Sequence, residues 1–89
     1  MFKPKNTQER ISHRLKITLG HLKKVIEMVE AHEYCINILH QSLAVQKALH
    51  EVDALILENH LKTCTVDAIK KGGKSKAIKE IITILKKSH

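Results

Sequence analysis

The sequence predicts an all-α protein with three helices per chain. Apolar residues recur every three or four positions along most of its 89 residues, the spacing of a helix face turned to a partner. Three Gly and one Pro leave few breaks, and the punctuation of a β-sandwich is absent. The middle helix also carries more apolar positions than one neighbouring helix can cover, so self-association is expected.

The first helix begins near Asn6. Asn6 followed by Glu9 fits a helix-start capping pattern. Residues 1–6, with Lys3, Pro4 and Lys5, read as a flexible basic arm ahead of it. Ile11, Leu15, Thr18, Leu22, Val25 and Val29 then form the apolar stripe of a helix of about seven turns. Gly20 inside it costs up to about 1 kcal/mol of helix propensity relative to Ala. At Ala31-His32-Glu33 the stripe changes phase, which predicts a short turn.

A second helix is predicted from about Tyr34 to about Lys70. Its apolar positions include Ile38, Leu39, Val45, Leu49, Val52, Ile56 and Leu57, widened by Ile36, Leu43 and Leu55. Gly72-Gly73 ends it, since glycine enters the left-handed conformation that closes helices without a Cβ clash. Ser75 is the expected cap of a third helix, about 75–87, with Ala77, Ile78, Ile81, Ile82 and Leu85 inward. Lys86 and Lys87 complement the dipole at its end. A chain of this length is expected to form a single domain, 1–89.

The formal charge is +7. A basic balance points to nucleic acid, an anionic surface or simple solubility. No apolar run approaches a membrane span, and the N-terminus lacks the apolar core of a signal peptide, so a cytoplasmic protein with no membrane partner is expected. In that reducing compartment two cysteines are expected as thiols. They are not spaced as Cys-x-x-Cys, which argues against a zinc ribbon or a thioredoxin-type site.

Three soft donors carry the chemistry. His60 and Cys64 are four residues apart, stacked on one face if helical. Cys35 precedes His60 by 25 residues and Cys64 by 29. At the angular step of an α-helix those intervals come to roughly 340° and 20°, so all three donors fall on one stripe. The helical rise puts Cys35 roughly 37 Å from His60, too far to share an ion within one chain. Two copies packed antiparallel, crossing near Ala48 and Leu49, would bring Cys35 of one beside His60 and Cys64 of the other, twice by symmetry. Each residue alone would pass for an ordinary core or surface side chain, since cysteine is among the most buried residue types. The joint pattern points to a metal or reactive-thiol site. Two thiolates and one imidazole favour Cu(I) and leave Zn(II) open; with no fourth ligand evident, three-coordinate Cu(I) fits better.

Gly20-His21-Leu22, Tyr34-Cys35-Ile36, Gln41-Ser42-Leu43-Ala44-Val45-Gln46 and Asn59-His60-Leu61-Lys62-Thr63-Cys64 resemble the CsoR/RcnR family of metal-sensing repressors over about residues 8–85. The Cys, His and Cys spacing matches its copper-sensing branch. The resemblance implies an antiparallel four-helix-bundle dimer, pairing to a homotetramer, that binds double-stranded operator DNA and releases it when the metal binds. It implies Cys35 of one protomer with His60 and Cys64 of the other as Cu(I) ligands. Tyr34 and Glu80 match the tyrosine and glutamate that link the site to the fold in the copper branch. Lys3 and Cys64 stand where nickel and cobalt sensors have extra histidines. His60 is absent from persulfide sensors, and Phe2 departs from the proline of formaldehyde sensors.

For DNA, Arg10, Arg14 and His21 fall on one flank of the first helix, and Lys16 and Lys23 on the other. A solvated basic face and a phosphate-binding face look alike in sequence; by resemblance Arg14 is the foremost DNA contact. Glu51 is a departure, standing where relatives often carry a basic residue, with Lys47 one turn earlier as compensation. The scarcity of aromatics argues against single-strand stacking. Competing readings are a sensor of Ni, Zn or persulfide on the same scaffold, an architectural DNA-binding bundle, and a copper store without operator affinity. Cys35, His60 and Glu80 as nucleophile, base and orienter would make an enzyme, but no oxyanion-forming glycine loop or cofactor motif accompanies them.

Overall fold

A computed structural model of the chain describes residues 6–87. The expected basic arm lies outside these residues except for Asn6, which is a fixed helix cap. The described chain is helical, with α1 at Thr7–Glu30, α2 at Cys35–His60, a π-helical segment at Leu61–Thr65, α3 at Val66–Lys70 and α4 at Lys74–Lys87. It divides into two compact units, 6–56 and 57–87.

In the first unit α1 starts as its sequence predicts. The Asn6 side chain accepts the Glu9 backbone N–H at 2.8 Å, and the Glu9 carboxylate lies in the first turn, where the helix dipole favours it. The helix stops without a glycine. His32 takes a left-handed φ of 55°; its N–H donates to the Val29 carbonyl, and the Glu33 N–H to that of Met28. This paired closure is a Schellman motif, built on a residue that carries a Cβ. The expected turn at 31–33 is therefore present. Next, the Tyr34 carbonyl accepts the N–H groups of Asn37 and Ile38, starting α2.

α1 and α2 run antiparallel. Gln41 near the start of α2 meets His21, and Glu51 further along meets Arg14. Val25, Met28, Val45 and Val52 are buried, together with Thr18, whose hydroxyl donates back to the Arg14 carbonyl at 2.8 Å. The inward residue at the end of α1 is thus Met28. Val29, expected inward, is exposed, as are Leu15 and Leu22 of the same stripe.

In the second unit the helix predicted to run uninterrupted to Lys70 is rewound over Leu61–Thr65 into π geometry. Thr63 Oγ1 donates to the Asn59 carbonyl at 2.7 Å, competing with the backbone ladder where the change occurs. Gly72, at φ 88°, and Gly73 then close α3 by a second Schellman motif, Gly72 N–H to Ile69 O and Gly73 N–H to Ala68 O. A Cβ on Gly73 would lie 3.2 Å from the Ala68 carbonyl oxygen, so both glycines have a steric reason. α4 begins at Lys74, its first bond running from the Ala77 N–H to the Gly73 carbonyl. Ser75 is therefore inside the first turn rather than at the cap. Of the residues expected inward on α4, Ala77 is buried and Ile81 half-buried, whereas Ile78, Ile82 and Leu85 are exposed.

Exposed apolar residues continue on both units: Leu15, Leu22, Leu39, Leu43 and Leu49 on the first, Ile69, Ile78, Ile82 and Ile84 on the second. Surfaces of this kind are what a chain presents to partners. No helix among the described residues is long and apolar enough to cross a membrane.

Candidate metal centre and basic face

Cys35 is the first residue of α2, and its thiol is free and exposed. Tyr34, just ahead of it, is 67% exposed. In the second unit His60 closes α2 and is half-buried, while Cys64, inside the π segment, presents an exposed free thiol. The expected α-helical stacking of His60 on Cys64 is therefore modified: i→i+5 bonding accumulates less rotation over four residues than an α-helix does. Single-turn π segments inside α-helices concentrate at functional sites.

Thr63 lies beside the thiol, its Oγ1 3.7 Å from Cys64 Sγ. One hydroxyl proton cannot serve both neighbours, and the shorter bond to the Asn59 carbonyl takes it. On the next turn Lys62 and Glu58 pair at 2.8 Å. Glu80 is an exposed residue of α4.

Among the described residues no three His, Cys, Asp or Glu side chains gather into a metal-holding group within the single chain. The donors themselves suit a soft ion: two thiols that can ionise and one imidazole, with both sulfurs open to solvent.

The residues expected to meet DNA divide into two groups. Arg10, Lys16 and Lys47 are exposed. Arg14 is half-buried, its guanidinium 4.0 Å from the Glu51 carboxylate. His21 is half-buried as well, with Nε2 2.7 Å from Gln41 Oε1. The amide oxygen only accepts, so Nε2 carries the proton of this bond. This edge of the imidazole is committed to the hairpin. Sequence reasoning gave no role to Gln41, and no local pattern could have supplied one, since the two partners are 20 residues apart.

The chain is 39% identical over 85 residues to the copper-sensing transcriptional repressor CsoR of Bacillus subtilis, covering 96% of this chain and 84% of that protein. It is 38% identical over 74 residues to the protein of the same name from Mycobacterium tuberculosis, covering 83% of this chain and 62% of that longer protein. The crystal structure of the copper-sensing repressor CsoR with Cu(I) from Geobacillus thermodenitrificans superposes with a TM-score of 0.86 at 36% identity, over 97% of this chain and 90% of that one. The pattern that defines metal-sensitive transcriptional repressors matches residues 7–87. A helical chain with soft donors on one helical run and a basic first helix, matched over nearly its whole length, belongs to the metal-sensitive transcriptional repressor family.

Proposed function

We propose that this chain is a copper(I)-responsive transcriptional repressor, acting in the cytoplasm as one metal-sensing DNA-binding domain. The observation that carries the reading is the donor set: an exposed thiol opening α2, an imidazole closing it, and a second exposed thiol in the π segment. Cys35 of one protomer with His60 and Cys64 of the partner subunit would hold the ion. No metal-holding group of three such side chains forms among the described residues of one chain, and an antiparallel dimer would complete the site. Two such dimers make the homotetramer. The exposed leucines and isoleucines of both units supply surface for these contacts.

A bound Cu(I) would supply a bond between protomers that the metal-free assembly lacks. The chain's own residues do the rest. Cys35 and Cys64 give up their thiol protons to become ligands. Tyr34, adjacent to Cys35, and Glu80 of α4 couple the ligand positions to the helices that carry them. Arg10, Arg14, Lys16 and Lys47 supply positive charge to the DNA backbone. A conformation that suits the ion and one that suits the operator differ, so each ligand weakens the other by the same factor, typically about 1–3 kcal/mol. The family relation to repressors and the similarity to copper sensors support this reading.

The test uses reduced protein under anaerobic conditions and a duplex selected from a random pool by the metal-free protein. Buffered Cu(I) should weaken binding at fixed salt by roughly 5- to 150-fold. Operator affinity that stays constant through saturation with Cu(I) overturns the release mechanism.

A further inference from the structure

We infer that Glu51 acts as an internal phosphate substitute, holding the Arg14 guanidinium until a DNA phosphate displaces it, so that this carboxylate sets how tightly the basic face grips DNA. The inference rests on the DNA-binding reading above. The two residues come from neighbouring antiparallel helices of the same compact unit, and their charged groups lie 4.0 Å apart. Their side chains are 42% and 55% exposed, so water reaches both ends of the pair. A carboxylate and a phosphodiester compete for the same guanidinium donors, because both offer anionic oxygens to its planar fork. A solvent-exposed pair of this length is weak enough to open.

The exchange leaves a signature in the salt dependence. An arginine that neutralises a phosphate releases a cation condensed on the DNA, which steepens the fall of affinity with salt. Arg14 already has a tethered counter-charge. Engaging DNA therefore trades one anion for another and frees a carboxylate that attracts cations. Glu51 thus lowers both the affinity and the salt slope.

The probe is a fluorescent duplex of mixed sequence, since phosphate contacts do not depend on base sequence. Anisotropy is measured across a salt series for wild type, Glu51→Gln, Asp53→Asn and Arg14→Ala, and for Glu51→Gln in the Arg14→Ala background. Asp53 is also exposed, and lies about 160° around α2 from Glu51. Asp53→Asn therefore removes the same charge from a different face. Glu51→Gln should tighten binding about two- to fivefold, the worth of one exposed pair, and steepen the salt slope by about one at most, since a single cation is no longer taken up by a freed carboxylate. Asp53→Asn should not steepen it, and the Glu51→Gln gain should vanish without Arg14. An equal gain and slope change from Asp53→Asn, or a gain that survives Arg14→Ala, overturns the inference in favour of net charge alone. Binding by wild type that Glu51→Gln leaves unchanged overturns it while sparing the repressor reading. DNA bound by none of the proteins overturns both.

Discussion

His21 Nε2 and Gln41 Oε1 lie 2.7 Å apart, a polar fastening between α1 and α2 set among half-buried surroundings. A partly buried hydrogen bond contributes about 1 kcal/mol net, and more is lost when one partner is left unpaired. His21→Ala and Gln41→Leu should each lower the unfolding free energy by about 1–2 kcal/mol, with the double variant less damaging than the sum. Urea denaturation at fixed protein concentration measures this. Purely additive losses would show that the contact contributes nothing of its own.

The left-handed His32 leads to an opposite expectation. A side chain at that conformation costs about 1–2 kcal/mol, which glycine avoids. His32→Gly should raise stability by about 1 kcal/mol, partly offset by the greater freedom of glycine in the unfolded chain. Gly72→Ala, at the equivalent position after α3, should lower it by about as much. A destabilised His32→Gly protein would mean that the imidazole makes contacts worth more than the strain.

Thr65 is buried, and its hydroxyl has no hydrogen-bond partner among the described residues. Removing an unsatisfied buried donor removes a desolvation cost of about 1–3 kcal/mol, although the folded site recovers only part of it. Thr65→Val keeps the shape and should raise the thermal midpoint. A fall in that midpoint would reveal that the hydroxyl serves a state of the protein other than this one.

Cys35→Ala and Cys64→Ala should each abolish tight Cu(I) binding in competition with a Cu(I) chelator. Both thiols are exposed, so helix content and DNA affinity should be retained. Cu(I) held as tightly by Cys35→Ala as by wild type would remove Cys35 from the ligand set.

The exposed apolar residues of both units predict that thermal unfolding shifts upward with protein concentration, as it does for chains stabilised by association. A midpoint constant across a wide concentration range, with a monomeric sedimentation profile, would contradict the proposed dimer.

What the sequence disclosed depended on the range of the interactions involved. The Asn6 cap, the break near His32 and the Gly72-Gly73 stop are local events, and each was legible from a few neighbouring letters. So was the helical character of nearly every segment, because periodicity repeats. Ser75 misled because a favourable capping residue stood two positions after the glycine that serves as the cap. The π segment was not legible, since its residues are acceptable in any helix and the bond from the Thr63 hydroxyl to the Asn59 carbonyl is visible only in three dimensions. The donors Cys35, His60 and Cys64 could be singled out by chemical type, and their resemblance to a known spacing gave them a joint role. The pairing of Arg14 with Glu51 crosses between helices and emerged only with the hairpin.

Counting letters between ligands assumes a fixed gauge, and from Leu61 to Thr65 this chain departs from it. Four steps along an α-helix overshoot a full circle; four steps through the wider coil advance less, so the sulfur of Cys64 trails the bearing that the α-helical count assigns it relative to His60. A homologue with the same His-x-x-x-Cys string but a regular coil would aim its thiol differently, and could differ in metal preference without changing a single donor.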